Sequence, residues 1–398
     1  MTKRTIVALP GDGIGRAVLD EAIRVLDAAG FDAEYVEGDI GWEFWCNEGN
    51  PLPDRTIRLL EKHKIALFGA ITSKPKDEAA GELSPDLQGK GLVYSSPIVG
   101  LRQLFGLDIC MRPCHTYKGN PLNFIRRGKY GSFEEPEVDV VIFRQNTEGL
   151  YGGVEWSDPP QQVYDALMTH PKFQKNFGHV PKAEISVSTR IFTKKATERI
   201  LRAAFSHAKK YRYKSVTVCE KPNVIRETSG MMYKMAQEIQ KADFPEIQLW
   251  NTNIDAQMMW LTKNPEDYGV IVAGNMFGDI VSDGFAGLIG GLGFACSAQY
   301  NPDTGIGVFE PTHGSAPKYA SYEVSIVNPI AMIESSCMML DFIGENEIAG
   351  KIRHAVAEVI AEGKVRTYDM MKMRGTPDVI KEGAASTREM GDAIIAKL

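Results

Sequence analysis

Short runs of β-branched and aliphatic residues alternate with helix-length segments along almost the whole 398-residue chain. This alternation is typical of a mostly parallel sheet flanked by helices, so we predict an α/β fold. The first strand is predicted at residues 5–9, and it passes through a glycine-rich turn into an amphipathic helix that ends at Gly30. Further strands are predicted at 138–143, 184–188, 215–219, 247–250 and 270–273.

Local signals mark two helix starts and one irregular segment. Ser96-Pro97 reads as an N-cap followed by proline at the first helical position, and Ser386 with Glu389 forms a capping box. Between residues 151 and 181, closely spaced prolines, glutamines and glycine break any regular period. We therefore expect this segment to leave the main fold as an irregular binding surface, lid or partner contact.

The glycine-rich turn is not a dinucleotide-binding fingerprint. Gly11, Gly13 and Gly15 satisfy part of that pattern, but the position three residues after Gly13 is Arg16 where the fingerprint needs glycine. A tight strand-to-helix turn with positive φ is at least as good an explanation as a phosphate cradle.

Charge and hydropathy exclude several classes of protein. With 45 Lys and Arg against 51 Asp and Glu, the net charge of −6 gives no basic field for nucleic acid, which we exclude as a partner. The most apolar stretch, 284–295, is too short and too rich in glycine to span a membrane, so we expect no membrane partner. The N-terminus has no apolar signal region, and we expect a cytoplasmic protein.

The six cysteines are scattered through apolar segments without paired CxxC spacing. This distribution fits neither a zinc site nor a disulfide framework, and it favours buried free thiols. A metal ion would therefore be held by oxygen ligands.

Asp279 and Asp283 have the spacing of a cation site. They are four residues apart and would lie on one face of a helix, where they repel each other unless a cation lies between them. Mg²⁺ takes carboxylate oxygens together with substrate and water. The alternative is a solvated acidic face, which is weaker here because apolar residues flank the pair.

Three arginines indicate a substrate with several carboxylates. Arg112 and Arg144 each end an apolar run, where a side chain is expected to point into a crevice, and Arg102 follows Leu101 in a third segment. Arginine suits bidentate carboxylate binding. Each alone would be interpreted as a structural ion-pair residue, but together they favour a polyanionic substrate.

Four segments, in order along the chain, resemble the β-decarboxylating dehydrogenases, a family of isocitrate, homoisocitrate, 3-isopropylmalate and tartrate/malate dehydrogenases. They are LPGDGIG at 9–15, FRQNTEGLY at 143–151, NMFGDIVSD at 275–283 and EPTHGSAP at 310–317. The resemblance implies oxidation of a 2-hydroxy di- or triacid by NAD(P) with a divalent metal, followed by loss of the β-carboxylate as CO₂.

The resemblance also implies an isocitrate/isopropylmalate dehydrogenase-like fold of two lobes around a mostly parallel central sheet, with a dimer clasp. The expected large domain, on the cofactor side, comprises 1–107 and 290–398. The expected small domain, which carries the substrate, the metal and the dimer interface, comprises 108–148 and 190–289. The clasp-like insertion is expected at 149–189.

Matching the motifs residue by residue implies individual roles. Asp255, Asp279 and Asp283 resemble the ligands of Mg²⁺ or Mn²⁺, Lys221 the residue that handles the hydroxyl proton, and Tyr151 the acid that protonates the enol carbon. Lys221, Asn223 and Asp255 would enter the site from a second subunit, which implies a homodimer with shared active sites. Without the resemblance, Lys221 would be interpreted as a solvent-exposed lysine and Tyr151 as a loop tyrosine.

The implied substrate-binding residues are Ser96, Arg102, Arg112, Arg144 and Asn223. The implied cofactor-binding residues are Thr72, Glu310, His313, Gly314, Lys318, Tyr319, Asn328, Tyr368 and Lys372.

A few positions narrow the choice of substrate. Ser96 and the segments 107–113, 117–121 and 152–156 resemble isocitrate dehydrogenases, so isocitrate, a tricarboxylate, is favoured. Ile98 departs from the isocitrate pattern, and segment 94–99 also resembles some homoisocitrate dehydrogenases. Ile98 and Val99 could instead line a pocket for an isopropyl group.

NADP is favoured over NAD because Lys318 stands where NAD-dependent members carry an acid, and a 2′-phosphate needs cations. Tyr368 and Lys372 resemble the tyrosine and arginine of the phosphate site, although lysine is a point charge rather than a fork. A non-catalytic regulatory subunit on the same fold is a further alternative, which the retention of Tyr151, Lys221, Asp279 and Asp283 disfavours.

Overall fold

The structure is a computed structural model that describes residues 3–398. It is an α/β protein, as predicted, in which helices cover a large central sheet. The strands are β1 (Arg4–Gly11), β2 (Ala33–Glu37), β3 (Ile65–Ala70), β4 (Ile109–His115), β5 (Arg126–Arg127), β6 (Phe133–Glu134), β7 (Asp139–Gln145), β8 (Glu155–Ser157), β9 (Ser186–Ser188), β10 (Ser215–Glu220), β11 (Gln248–Asn253), β12 (Val270–Ala273), β13 (Cys296–Asn301) and β14 (Ile306–Pro311).

The helices lie between and after these strands, and the large sheet has helices on both faces. They are α1 (Gly15–Ala28), α2 (Trp42–Glu48), α3 (Asp54–His63), α4 (Lys76–Gly81), α5 (Pro97–Phe105), α6 (Gln161–Met168), α7 (Pro171–Phe177), α8 (Lys194–Tyr211), α9 (Thr228–Asp243), α10 (Ile254–Trp260), α11 (Asn275–Leu288), α12 (Pro317–Ala320), α13 (Ile330–Ile343), α14 (Asn346–Glu362) and α15 (Thr387–Ile395).

The ten-stranded sheet has the order β11-β10-β12-β7-β4-β13-β14-β3-β1-β2. Six of its strand pairs are parallel, and the three antiparallel pairs, β7–β4, β4–β13 and β13–β14, lie together in the middle. The middle strands therefore join two parallel groups, one on each side. Two small two-stranded sheets, β5–β6 and β8–β9, lie outside the large sheet.

The apolar side chains form three large clusters around this sheet. The first is built from α1, α11, α13, α14 and α15, the second from α8 and α9 on β10 and β12, and the third from α3 and α5 on β1 and β3. Helix α13 is buried from Ile330 to Leu340, as expected for a helix that is apolar on all sides. The second and third clusters lie in different parts of the sheet, at opposite sides of its antiparallel middle.

The glycine turn after β1 is a tight turn, as the sequence predicted. Gly11 and Gly13 have φ of +66° and +57°. A Cβ on Gly13 would lie 2.1 Å from the carbonyl oxygen of Ser315, to which the Ile14 amide donates a 2.9 Å hydrogen bond. The turn therefore ties the start of α1 to the segment before α12.

Helix α5 begins after Ser96, and α15 begins with the predicted capping box at Ser386. The expectation of an irregular segment at 151–181 was wrong, because it contains β8, α6 and α7. Pro160 and Pro171 stand at the starts of α6 and α7, where a missing N–H costs nothing, so these prolines initiate helices instead of breaking them. The predicted strand at 184–188 shortens to β9 after a 3₁₀ turn at Lys182–Glu184.

All six cysteines are free, and five are buried; Cys46 is only half-buried. Among residues 3–398, no helix is long and apolar enough to cross a membrane.

Replacing Gly13 by alanine tests the turn. Because the new Cβ meets a backbone carbonyl and alanine is strained at positive φ, we expect Gly13→Ala to lower the free energy of unfolding by about 2 kcal/mol or more. A Cβ added to Gly350 on α14 would meet no atom within 4 Å, so Gly350→Ala, a matched control, should stabilise the protein by up to about 1 kcal/mol. Urea denaturation measures both, and equal midpoints for the two variants would contradict the assigned turn.

Candidate active site

Asp279 is the centre of a cluster of charged side chains on one face of the sheet. It lies on α11, the helix that follows β12, and Asp283 lies one turn later on the same helix. The carboxylate of Asp279 accepts hydrogen bonds from Arg144, from Arg112 at 3.2 Å and from the Tyr151 hydroxyl at 3.2 Å. Three predicted site residues from other parts of the sequence therefore meet at the carboxylate of a fourth.

The two central arginines are fixed by further contacts. Arg112 also donates to the Ser282 hydroxyl at 2.8 Å and to Asp283 at 3.3 Å, while Arg144 donates to Asn275 at 2.9 Å. Arg144 is the penultimate residue of β7, next to the predicted strand end, but Arg112 lies in the middle of β4, where the prediction of a strand end was wrong. The chain continues extended after Arg112 because Pro113 and Cys114 pair with β7.

Burial of these cations changes their electrostatics. The Arg144 side chain is 2% exposed, and burial together with the nearby Arg112 lowers its pKa to about 10. It is still protonated at neutral pH. A buried cation cluster of this kind is costly unless anions offset it, so the site is suited to an anionic ligand.

Arg102 lies at the edge of the same cluster. It donates to the Gln299 side chain at 2.5 Å and approaches Glu310 at 3.5 Å. Gln299 in turn bonds Glu310 and accepts from Asn146 at 2.8 Å. Burial raises the pKa of Glu310, while Arg102 and Arg112 oppose that rise.

The guanidinium carbon of Arg144 lies over the aromatic ring of Tyr151, 5.6 Å from the ring centre. Partial burial and the neighbouring Asp279 raise the pKa of the Tyr151 phenol. The phenol is therefore protonated near neutral pH and has an O–H to donate.

Lys221 and Asp255 form an ion pair with each other and not with this cluster. Lys221, which follows β10, forms an ion pair with Asp255 at the start of α10, and this pairing lowers the pKa of Asp255. Asn223 is exposed two residues further on. A single chain therefore does not bring Lys221 or Asp255 into hydrogen-bond contact with Asp279.

A buried carboxylate next to Lys221 joins three elements. Glu220 is fully buried and accepts hydrogen bonds from Arg190 at 2.7 Å, from Ser229 at 2.6 Å and from the Gly274 amide at 2.8 Å. It thereby links the end of β10 to the starts of α9 and α11. Sequence reasoning missed Glu220, although a carboxylate at the end of an apolar strand is a recognisable signal.

The carboxylates present fit a hard divalent ion in part. Asp279 and Asp283 offer oxygen ligands on one helical face, as Mg²⁺ and Mn²⁺ prefer. Within residues 3–398, no group of three or more His, Cys, Asp or Glu side chains is arranged to hold a metal. One chain therefore places only two of the three aspartates predicted as ligands side by side.

Some buried polar atoms of β4 and of the 310–317 segment have no hydrogen-bond partner among the described residues. They include Arg112 Nε, Thr312 Oγ1 and His313 Nε2, all buried. Burial lowers the pKa of His313, whose other ring nitrogen lies 3.0 Å from the Gly314 carbonyl. Buried polar groups are normally satisfied, so these atoms are candidates for contact with a ligand.

Apart from Glu310, which lies beside Arg102, and His313, the predicted cofactor residues fall into two groups. The Thr72 hydroxyl shares a 2.6 Å hydrogen bond with the Ser315 hydroxyl, and the Thr72 amide donates to the Asp12 carboxylate at 2.7 Å. Thr72 therefore lies beside the glycine turn. Gly314 is exposed in the same segment.

The second group lies around α12. The Tyr319 ring packs against that of Tyr368 at 5.5 Å, and the Lys318 ammonium donates to the Gly375 carbonyl at 3.3 Å. Asn328 is buried and donates to Asp369 at 3.1 Å, while Lys372 is exposed. Ser96, at the start of α5, is half-buried and makes no side-chain cap.

Comparison with known proteins gives the family. Residues 5–394 match the family model described as isocitrate/isopropylmalate dehydrogenase, and the chain belongs to this family of oxidoreductases. Members of the family use NAD(P) and divalent metal ions.

Individual relatives cover nearly the whole chain. The protein DlpA of Legionella pneumophila is 38% identical over 98% of this chain, which spans 58% of that longer protein. The homoisocitrate dehydrogenase of Methanocaldococcus jannaschii is 36% identical, over 98% of this chain and 96% of its own length. The crystal structure of isocitrate dehydrogenase from Methylococcus capsulatus superposes with a TM-score of 0.80 at 32% identity, covering 99% of both chains.

Glu220→Gln tests the buried link beside Lys221. The variant keeps the shape of the side chain but leaves the Arg190 cation without its buried partner, so we expect the free energy of unfolding to fall by about 3 kcal/mol or more. Glu37→Gln, which removes a half-exposed partner of Arg16, is the matched control and should cost less than about 1 kcal/mol. Similar losses in the two variants, measured by denaturant unfolding, would contradict the structural role of Glu220.

Proposed function

We propose that the protein catalyses the metal-dependent oxidative decarboxylation of isocitrate to 2-oxoglutarate and CO₂ with reduction of NADP. The observation that carries the proposal is the convergence of Arg112, Arg144 and Tyr151 on Asp279, with Arg102 at the edge and Asp283 one turn away. Three cations beside two carboxylates suit a ligand that has several carboxylates of its own and a metal ion.

Each side chain has a definite task in this proposal. Arg102, Arg112 and Arg144 bind the substrate carboxylates and hold the reacting carbon in place. When bound, Mg²⁺ or Mn²⁺ at Asp279 and Asp283 would acidify the substrate hydroxyl and stabilise the charge left by departing CO₂, while NADP would accept the hydride. Lys221 accepts the hydroxyl proton, and the Tyr151 O–H donates a proton to the carbon that lost CO₂.

A homodimer completes the proposed site. Lys221 and Asp255 pair with each other and not with Asp279, as expected if they serve the site of a second copy. Asn223 is exposed beside them and would accompany them. The segment 149–189 would form the clasp between the copies, and Phe177 at its surface is 51% exposed.

The two-lobe division is part of the same proposal. We assign 1–107 and 290–398 to one lobe and 108–148 and 190–289 to the other, and the change from antiparallel to parallel pairing on each side of the sheet's middle supports this division. The first group would bind the cofactor and the second the substrate and metal.

NADP is proposed because Lys318 and Lys372 lie on either side of the Tyr319 and Tyr368 rings in the sequence and supply cations for a 2′-phosphate. NAD would need an acidic partner for its 2′-hydroxyl instead.

Isocitrate is proposed over 3-isopropylmalate because Ile98 is 8% exposed and packs in the third apolar cluster, where it offers little surface to an isopropyl group. Homoisocitrate is the second candidate, since Ile98 also removes the polar group that isocitrate enzymes often have at this position.

A panel of substrates tests the reaction. With Mn²⁺ and NADP, isocitrate should give a higher kcat/KM than homoisocitrate, 3-isopropylmalate, malate or tartrate, and NADP should be preferred to NAD. Asp279→Asn should lower kcat/KM by more than about a hundredfold because it removes a charged ligand. Asp32→Asn, at an exposed carboxylate paired with Lys3, is the control and should leave the rate unchanged. No reduction of either nucleotide with any substrate would overturn the proposal.

Mixing two inactive variants tests the shared sites. Asp279→Asn and Lys221→Met should each be inactive, but a mixed dimer places both changes in one site and leaves the other intact. After unfolding and refolding an equal mixture, about a quarter of the wild-type activity should return, as expected for random pairing in a two-fold dimer. If the activity stays at the level of the separate variants, Lys221 and Asp279 act within one chain or the protein does not form such a dimer.

A further inference from the structure

A cavity of about 1000 Å³ lies on the face of the sheet opposite the charged cluster. Side chains alternate between the two faces of a strand. On β4, Arg112 points to the cluster while Met111 and Pro113 line the cavity, and on β7, Arg144 points to the cluster while Phe143 lines the cavity. The candidate active site and the cavity therefore share the same strands, back to back.

The cavity lies along the seam between the first and second apolar clusters. Helix α8 forms one wall, and α13 and α14 form the other. Met111 and Tyr300, on its floor, are partly buried and contact both clusters. A molecule in the cavity would therefore touch both halves of the protein.

Rings dominate the apolar lining. His207 stacks on Tyr213 at 5.9 Å and packs against Phe143 at 5.2 Å, and the Tyr300 ring meets Phe342 at 5.4 Å. Burial lowers the pKa of His207 to about 4; Lys210 and His115 lower it further, and Asp139 partly opposes this change. The imidazole is therefore neutral near pH 7. Flat aromatic molecules pack well against such walls.

The arginines of the lining are already ion-paired with carboxylates of the protein. Arg199 pairs with Asp108 and Asp303, and Arg353 pairs with Glu334 and Asp341.

Arg202 likewise holds two carboxylates, Glu198 and Asp243. Lys195 and Lys210, the two lysines of the lining, are exposed near opposite ends of α8. Three carboxylates of the lining, Glu198, Glu334 and Asp341, and three from outside it, Asp108, Asp243 and Asp303, hold the arginines in ion pairs, so an anionic ligand would have to compete with them.

We propose that this cavity binds an uncharged aromatic small molecule, and that its occupancy changes the affinity of the active site for substrate. Its volume is at the upper end of the range of small-molecule sites, about 300–1000 Å³. The second half of the proposal rests on the proposed function, whereas the first half does not.

The coupling follows from the shared strands. A ligand that prefers one spacing of α8 and α13 also prefers one arrangement of β4, β7 and β13, and therefore one placement of Arg112 and Arg144. Coupling of this kind is reciprocal: if the ligand changes the substrate affinity, the substrate changes the ligand affinity by the same factor.

A matched pair of fluorescent probes tests the site. N-phenyl-1-naphthylamine is uncharged, and 8-anilinonaphthalene-1-sulfonate carries the same rings with an added sulfonate. We expect the uncharged probe to bind the full-length protein at one site per chain and at least about tenfold more tightly than the sulfonate.

Ser206→Trp and Ala203→Trp fill the cavity from α8 and should each weaken this binding at least about tenfold. Gln237→Trp, at an exposed position on α9, is the control and should bind as the wild type does.

Binding measurements then test the coupling. Saturating the uncharged probe should change the Kd for isocitrate with Mn²⁺ by about threefold or more, and isocitrate with Mn²⁺ should change the affinity for the probe by the same factor. Equal binding of the two probes, or undiminished binding to both tryptophan variants, would overturn the site. A bound probe that leaves the Kd for isocitrate unchanged would overturn the coupling.

Two other outcomes are distinguishable from these. If light scattering shows that Ser206→Trp and Ala203→Trp reduce the molecular mass of the wild-type assembly, the cavity is a contact between copies, and the proposal is wrong. If the protein does not oxidise isocitrate at all, the proposed function fails, while the probe titration of the free chain still decides whether the site exists.

Discussion

The site depends on one carboxylate, that of Asp279, which holds two buried arginines and a tyrosine together. Neither Arg112 nor Arg144 could be buried without anions nearby, because desolvation of a guanidinium is costly. Asp279 and Asp283 offset part of that cost, and the unpartnered Nε of Arg112 shows that the arginines are not fully satisfied. The cluster is thus ready for a further anion.

The middle of the sheet determines where this cluster lies. Strands β4, β7 and β13 are antiparallel neighbours, so their side chains form aligned rows, with Cys110 opposite both Arg144 and Gln299. The charged rows face α11, and the apolar rows face the cavity. The same alternation therefore separates a polar site from an apolar one across a single layer of backbone, which makes mechanical coupling between them a natural consequence of the fold.

Most of the architecture follows from local patterns in the sequence. The alternation of strands and helices, the turn at Gly13 and the pairing of Asp279 with Asp283 on one helical face are all short-range features, and each was predictable. The order of strands was not, because the contacts of Arg112 and Arg144 with Asp279 join residues more than a hundred positions apart. The role of Glu220 was missed for the same reason, since its partners come from three separate places in the chain: the loop after β9, the start of α9 and the residue before α11. The prolines at the starts of α6 and α7 led to a different error: in the sequence they predict an interruption of regular structure, whereas each one begins a helix.

The most direct test of the central claim is the position of the metal. A crystal grown with Mn²⁺ and isocitrate, with diffraction data collected at the manganese absorption edge, should show one anomalous peak per site at bonding distance from Asp279 and Asp283 of one chain and Asp255 of the partner subunit. Isocitrate should lie beside that peak, with its carboxylates on Arg102, Arg112 and Arg144. A peak elsewhere, or isocitrate bound away from these arginines, would contradict the account.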